Sequence, residues 1–236
     1  MTPVTLTGWL HASLRLTARA PWLWLLYLAI NAVLLAGTHL SLALGIFVNV
    51  VQLLIGVGLA GFVDTKHRAL PFPALKSAIL RSLPLAILAA SAIVLVWLVL
   101  RIAVSLYHND TDEILAFFYQ AQWLPARYAE MTFRQLTGWL YASSISILVF
   151  VLLMLTSFAS WFSYPLMLFD NYPWSQAKIM GDEAVTVYAA PFYQLMLLIF
   201  ILVIVMARIL PWLTPVMYTW VAMLMYVSYQ DVFRTL

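Results

Sequence analysis

The side chains that usually carry chemistry are few in this sequence and poorly spaced to act together. Cysteine is absent, which removes disulfides, thiolate metal ligands and cysteine nucleophiles at once. His11, His39, His67 and His108 stand far apart, with no H-E-x-x-H pair to hold zinc. Ser143, Ser144, Ser146, Ser157, Ser160 and Ser163 share one apolar stretch with no buried base to activate them, so bonds to backbone or to adjacent helices are their expected role. Asp110, Asp112 and Glu113 suggest a cation site, but an EF-hand needs a further spaced acid, a glycine and a distal Glu in register. Asp110 with Glu113 fits a helix-capping box instead, opening a helix that carries Ile114, Phe117, Phe118 and Ala121 on one side. Gly56, Gly58 and Gly61 spell G-x-G-x-x-G, yet they lie inside an apolar run with only Asp64 nearby, which is the wrong setting for a dinucleotide loop. Gly45, Asn49, Gln52, Gly56 and Ala60 form one small or polar stripe at helical spacing and read as a helix-packing face. Asn49 and Gln52 have a second reading as the lining of a substrate path. No catalytic residue, cofactor or metal site is expected.

The elements that must position these residues follow from composition. Of 236 residues, 65% are hydrophobic and 9% charged, with mean hydropathy +0.96. A water-covered domain carries roughly a quarter of its residues charged. Lipid is therefore expected to cover much of this chain, and the fold class is an all-α polytopic membrane helix bundle. The surplus of three positive charges is too small and scattered for a nucleic-acid footprint.

Six apolar runs, 21–37, 40–63, 83–104, 136–168, 191–210 and 212–229, approach or exceed the ~20 residues that span a bilayer. They predict six transmembrane helices in a single membrane domain covering 1–236. Residues 1–20 precede them as an interfacial helix with Leu6, Trp9, Leu10 and Leu14 at helical spacing, and 105–135 forms an outer loop with its own helix. The fourth run is too long for one straight span and is expected to continue beyond the membrane or bend near Pro165. With both termini cytoplasmic, eight Lys and Arg (Arg15, Arg19, Lys66, Arg68, Lys76, Arg81, Lys178, Arg234) lie inside. Four (Arg101, Arg127, Arg134, Arg208) lie outside, as the positive-inside rule favours.

The two inner connections share a pattern. Each opens with an aspartate, Asp64 or Asp170, and continues through Pro, Ala and Lys as Pro73-Ala74-Leu75-Lys76 or Pro173…Ala177-Lys178. Each then reaches a proline expected to start the next span, Pro84 or Pro191, and an arginine 17 residues later, Arg101 or Arg208. This reads as a weak internal repeat of a helix hairpin with a surface helix at its turn. In the second copy Trp174, Ala177, Met180, Ala184 and Tyr188 predict an inward apolar face, leaving Lys178, Asp182 and Glu183 toward the cytoplasm. In the first, Leu75, Ala78, Ile79 and Leu83 oppose Lys76 and Arg81.

The aromatic-Pro-Leu segment Tyr164-Pro165-Leu166, Asp170, the Pro173…Ala177-Lys178 helix and Tyr229-Gln230-Asp231-Val232-Phe233 carry a resemblance over nearly the whole chain. The chain resembles a family of uncharacterised six-helix inner-membrane proteins of proteobacteria, distantly similar to the membrane domain attached to some glycerophosphodiester phosphodiesterases. The resemblance implies a bacterial inner-membrane location and supplies no catalytic residues; the long outer loop departs from it. The expected function is a non-catalytic accessory, assembly or regulatory subunit of an envelope membrane complex. Its partners are membrane lipids, another membrane protein or a second copy of the chain. Its contact residues are Lys76, Arg81, Trp174, Lys178, Asp182 and Glu183 inside and Phe117 and Phe118 outside. The alternative is a permease-type subunit of an ATP-driven transporter, with Lys76 and Arg81 or Trp174 and Lys178 docking a separate ATPase. A lipid-modifying enzyme using Asp170, Asp182 and Glu183 is a third reading.

Overall fold

The computed structural model describes residues 4–39, 41–65, 72–108 and 128–234, together with Ile114 and Phe118. Among the described residues every regular element is helical. In chain order they are α1 (Leu6–Arg19), α2 (Pro21–Ala36), α3 (Leu42–Thr65), α4 (Phe72–His108), α5 (Phe133–Met154), α6 (Ser163–Phe169), α7 (Trp174–Val187), α8 (Ala189–Arg208) and α9 (Thr214–Phe233).

Local signals set several of these boundaries. The Thr5 hydroxyl accepts from the Gly8 amide (3.2 Å) to cap α1. Pro21 opens α2 after a turn of 98° from α1. Thr132 and Gln135 form a reciprocal capping box at the start of α5; the box expected at Asp110 and Glu113 lies outside the described residues. α1 buries Trp9, Ser13 and Leu16 and leaves Leu14 outside, so its inner face is rotated from the expected one.

The chain runs back and forth between two ends. At one end the terminal segments meet, the Trp9 indole donating to Asp231 Oδ2 (2.9 Å). At the other, Arg134 Nη2 donates to the Arg208 carbonyl (2.6 Å), joining α5 to the end of α8. Helix α9 is the centre: it packs against α1, α2 and α3 and buries 15 of its 20 residues, so protein surrounds it on nearly every side. Polar side chains tie it to its neighbours. Asn31 Nδ2 donates to Thr219 Oγ1 (3.1 Å), the Tyr218 hydroxyl to the Ser144 carbonyl (2.8 Å) and the Trp161 indole to Ser228 Oγ (2.9 Å).

Among the described residues, four helices are long and apolar enough to cross a membrane: α3, α4, α5 extended to Ser157, and α8. The bent pair α1–α2 makes a fifth if counted as one span. The chain is therefore all-α and compatible with a multi-pass membrane protein. The sixth expected span corresponds to α9, which is not among these four or five. Its Tyr, Thr, Ser and Met side chains face other helices, where apolarity is not required.

One local expectation is refined and two are corrected. The bend expected near Pro165 lies somewhat earlier, at a π-helical turn over Leu155–Ala159 and Ser160 in a left-handed conformation (φ 65°). Pro84 does not start a span, and residues 72–83 are not a separate surface helix: both belong to the unbroken 37-residue α4. Trp174 is not turned inward but is 48% exposed; Ala177, Gly181 and Ala184 are the residues α7 buries.

Candidate functional site

Two carboxylates organise the end where the terminal segments meet. Asp64 lies in the last turn of α3 and Asp170 directly follows α6. Tyr226 and Tyr229, three residues apart on α9, reach one each. The Tyr226 hydroxyl donates to Asp64 Oδ2 (2.9 Å), and Arg19 pairs with the same carboxylate. The Tyr229 hydroxyl donates to Asp170 Oδ2 (2.6 Å); Arg234 donates to Asp170 Oδ1 through Nη2 (3.2 Å) and to the Tyr229 hydroxyl through Nε (3.0 Å). Asp64 and Asp170 are thus each held by one tyrosine of α9 and one arginine from a terminal segment. Gln230 Nε2 donates to the Tyr226 hydroxyl (2.5 Å). Phe169 stacks on Tyr229 with centroids 5.5 Å apart. Burial lowers the Arg234 pKa, but the Tyr229 hydroxyl and the Asp170 carboxylate outweigh it and hold that pKa above its usual value.

Two clefts flank Tyr226 and Gln230. One of about 390 Å³ opens between α1, α3 and α9, with Arg15, Arg19, Asp64 and Asp231 around it. The other, about 410 Å³, opens between α3, α4 and α9 and carries Thr65, Ser77, Arg81 and Arg234. A third cleft of about 390 Å³, almost wholly apolar, lies between α3, α4 and α5 with Trp174 at one end.

The break between α5 and α6 borders a smaller cavity of about 230 Å³, lined by Thr156, Ser160, Asp182 and Phe192. Ser160 is 3% exposed, and its hydroxyl has no hydrogen-bond partner among the described residues. A serine at positive φ costs roughly 1–3 kcal/mol and persists only where its surroundings over-determine it. Here the backbone of α7 does so: a Cβ added at Gly181 would fall 2.5 Å from Ser160 Oγ. Asn171 (φ 58°), in the left-handed conformation asparagine tolerates, closes α6.

The carboxylates at this end act as ties between helices. Asp64, Asp170 and Asp231 accept from an arginine or an aromatic O–H or N–H of another segment, whereas Asp182 accepts from Lys178 within α7. Among the described residues, no three His, Asp or Glu side chains gather to hold a metal ion.

Of the residues singled out in the sequence, Arg81 and Trp174 come to the same region, because Arg81 Nη2 donates to Asn171 Oδ1 (3.3 Å) just before α7. Lys178 pairs with Asp182 one turn on (2.8 Å), and Glu183 is exposed beside it. Lys76 is exposed in the first turns of α4. Phe118 is a half-exposed helical residue, whereas Phe117 lies outside the described residues. The stripe on α3 is buried: Asn49 Nδ2 donates to the Gly45 carbonyl (2.7 Å), Gln52 Nε2 to Asn49 Oδ1 (3.3 Å), Gly56 abuts Tyr27 and Ala222, and Ala60 is fully enclosed.

Sequence reasoning passed over Trp9, Arg19, Asp64, Tyr226, Gln230 and Ser160 as site residues. A signal existed for some of them: Tyr226, Tyr229 and Gln230 recur at three- and four-residue spacing beside Asp231 and Arg234. Compared with known proteins, the chain matches no family model, no curated protein and no solved structure.

Proposed function

We propose that this chain is an integral protein of the bacterial inner membrane that crosses it six times, through α2, α3, α4, α5, α8 and α9, with both termini cytoplasmic. It acts without catalysis, as an accessory, assembly or regulatory subunit of a larger envelope complex. The even number of traverses agrees with the contact between Trp9 and Asp231, which joins the two terminal segments. Eight Lys and Arg on that side against four on the other favour the same orientation. The resemblance to six-helix inner-membrane proteins belongs to this proposal as well.

The observation that carries the accessory role is the surface of α7. Its small face, Ala177, Gly181 and Ala184, is sealed against the bundle, while Ile179 and Val187 are each 67% exposed beside Lys178, Asp182 and Glu183. A rigidly held helix presenting two aliphatic side chains within a charged rim suits contact with another membrane protein. The permease alternative has less support, because it calls for a separate coupling helix between the second and third spans, and Lys76 and Arg81 sit in the continuous α4.

Native mass spectrometry of the chain extracted gently from its own membranes tests this. A defined hetero-complex or homo-oligomer that dissociates in Ile179→Glu or Val187→Glu is the expected result. A solitary monomer, or an assembly indifferent to both substitutions, rules out the α7 contact. Tags at the two ends reporting opposite compartments rule out the topology.

A further inference from the structure

The apolar cleft between α4 and α5 has dimensions and an entrance that point to a particular occupant. Its floor is α3, at Val50 and Leu54, and the π-helical turn at Leu155 forms part of the opposite wall. On α4 the lining residues Leu85, Leu88, Ala92 and Val96 follow helical spacing, and Arg81 stands one turn before Leu85 on the same stripe. From Leu85 to Val96 the helix rises roughly 16 Å, close to the depth of one leaflet's hydrocarbon, half of ~30 Å. Just beyond Val96 the rings of Trp97 and Phe150 meet with centroids 4.2 Å apart, bridging α4 to α5. Trp174, half exposed, lines the cleft, and Arg81, which lines the neighbouring cleft between α3, α4 and α9, stands one turn along α4 from Leu85.

Arg81 differs from three cations near it, though not from Lys76 or Arg15. Arg19, Lys178 and Arg234 each pair with an aspartate. Arg81 is exposed, and its hydrogen-bond partner is the neutral amide oxygen of Asn171, so its charge is not compensated by a carboxylate among the described residues. A leaflet-deep apolar slot, an interfacial tryptophan and an uncompensated arginine one turn outside it match the tail, the glycerol region and the phosphate of a lipid in that order.

We propose that this cleft is a binding site for one anionic glycerophospholipid, its acyl chain along Leu85 to Val96 and its phosphate on Arg81. The site rests on the membrane placement proposed above and is independent of any protein partner.

The test uses the full chain reconstituted in vesicles of equal phosphatidylglycerol and phosphatidylcholine, extracted in mild detergent and weighed by native mass spectrometry. One retained phosphatidylglycerol per chain, in preference to phosphatidylcholine, is expected. Arg81→Gln should reduce that preference about fivefold, the effect of one interfacial arginine, while Arg81→Lys keeps most of it. Ala92→Phe, which fills the slot, should lower retention of both lipids; Ala89→Leu serves as the milder variant if Ala92→Phe fails to fold. The proposal is overturned by equal retention of both headgroups, by a preference that survives Arg81→Gln, or by displacement of the lipid with millimolar inorganic phosphate alone. A chain that never enters vesicles defeats the membrane placement, a failure visible before any lipid is counted.

Discussion

Helices α4 and α9 are the two extremes of this molecule. The most apolar stretch of α4 has mean hydropathy 2.7, and 11% of it is buried within the protein. Helix α9 carries tyrosines, threonines, a serine and a glutamine, and 15 of its 20 residues are buried. The more apolar helix is thus the more exposed one, the reverse of a water-soluble fold. For this pair hydropathy records the surroundings: α4 faces outward, where lipid is proposed to be, and α9 faces other helices, which can answer its hydroxyls and amides. Helix α3, whose most apolar stretch has mean hydropathy 2.3 and is 61% buried, is both apolar and enclosed. Hydropathy alone would single out α4 as the core and rank α9 behind it, although α9 is the helix that the protein encloses.

The sharpest way to break this comparison is to overfill the centre and trim the edge. A Cβ at Gly56 would lie 2.7 Å from both Ala222 Cβ and the Tyr27 hydroxyl, where α3 meets α9 and α2. Gly56→Leu should destabilise the protein by about 3 kcal/mol, since overpacking a closed core forces backbone shifts. Val99→Ala on α4, where Val99 is 63% exposed, should stay within about 0.5 kcal/mol. Denaturation in detergent micelles followed by far-UV circular dichroism compares the two. Equal effects would mean that α9 is not the packed centre.

The same contrast recurs at the helix ends. Asp170 ties α6 to α9 through both Tyr229 and Arg234, so Asp170→Ala leaves two donors without their acceptor and should lower stability by about 2 kcal/mol. Arg81, at the start of α4, donates to a neutral amide oxygen at 3.3 Å, and Arg81→Gln should change stability by less than about 0.5 kcal/mol. Denaturation midpoints of the two variants at constant salt decide it. A larger loss in Arg81→Gln would make the α4 end the better anchored of the two.

The helical class, the apolar runs and the buried small stripe on α3 were legible because each is a local property: composition, run length, or spacing at three and four residues. What stayed hidden depends on partners distant in sequence. Nothing near Asp64 announces Tyr226, 162 positions away, and nothing near Trp9 announces Asp231. Pro84 read as a helix start because proline suits a first turn, yet α4 continues through it. The break at Ser160 had no glycine to mark it, since the glycine that permits it, Gly181, lies on the neighbouring helix. Trp174 matched the periodicity of the α7 face, but Ala177, Gly181 and Ala184 let the helix sit too close to the bundle for an indole to follow.

Helix α7 lies between the two extremes, enclosed on one face and open on the other, and its two faces should respond differently. Gly181→Ala gains helix propensity of nearly 1 kcal/mol. Its new methyl would meet the strained Ser160 at 2.5 Å, so a net loss of about 1 kcal/mol is expected, with overpacking outweighing propensity. A rise in the denaturation midpoint would show that the Ser160 turn yields easily and that α7 is not fixed by its small face.

The smallest effect belongs to the open face. Lys178 and Asp182 form an (i, i+4) pair at 2.8 Å, with side chains 38% and 52% exposed. Water and salt screen such a pair, and holding two long side chains in one geometry offsets part of the attraction, leaving about 0.3 kcal/mol. Lys178→Ala should therefore shift the denaturation midpoint barely at low salt and not at all in about 1 M salt, where the screening length shrinks to ~3 Å. A salt-independent loss above about 1 kcal/mol would place the pair in a dry environment. Its face would then be covered by protein even in the isolated chain, and α7 would resemble α9 more closely than α4.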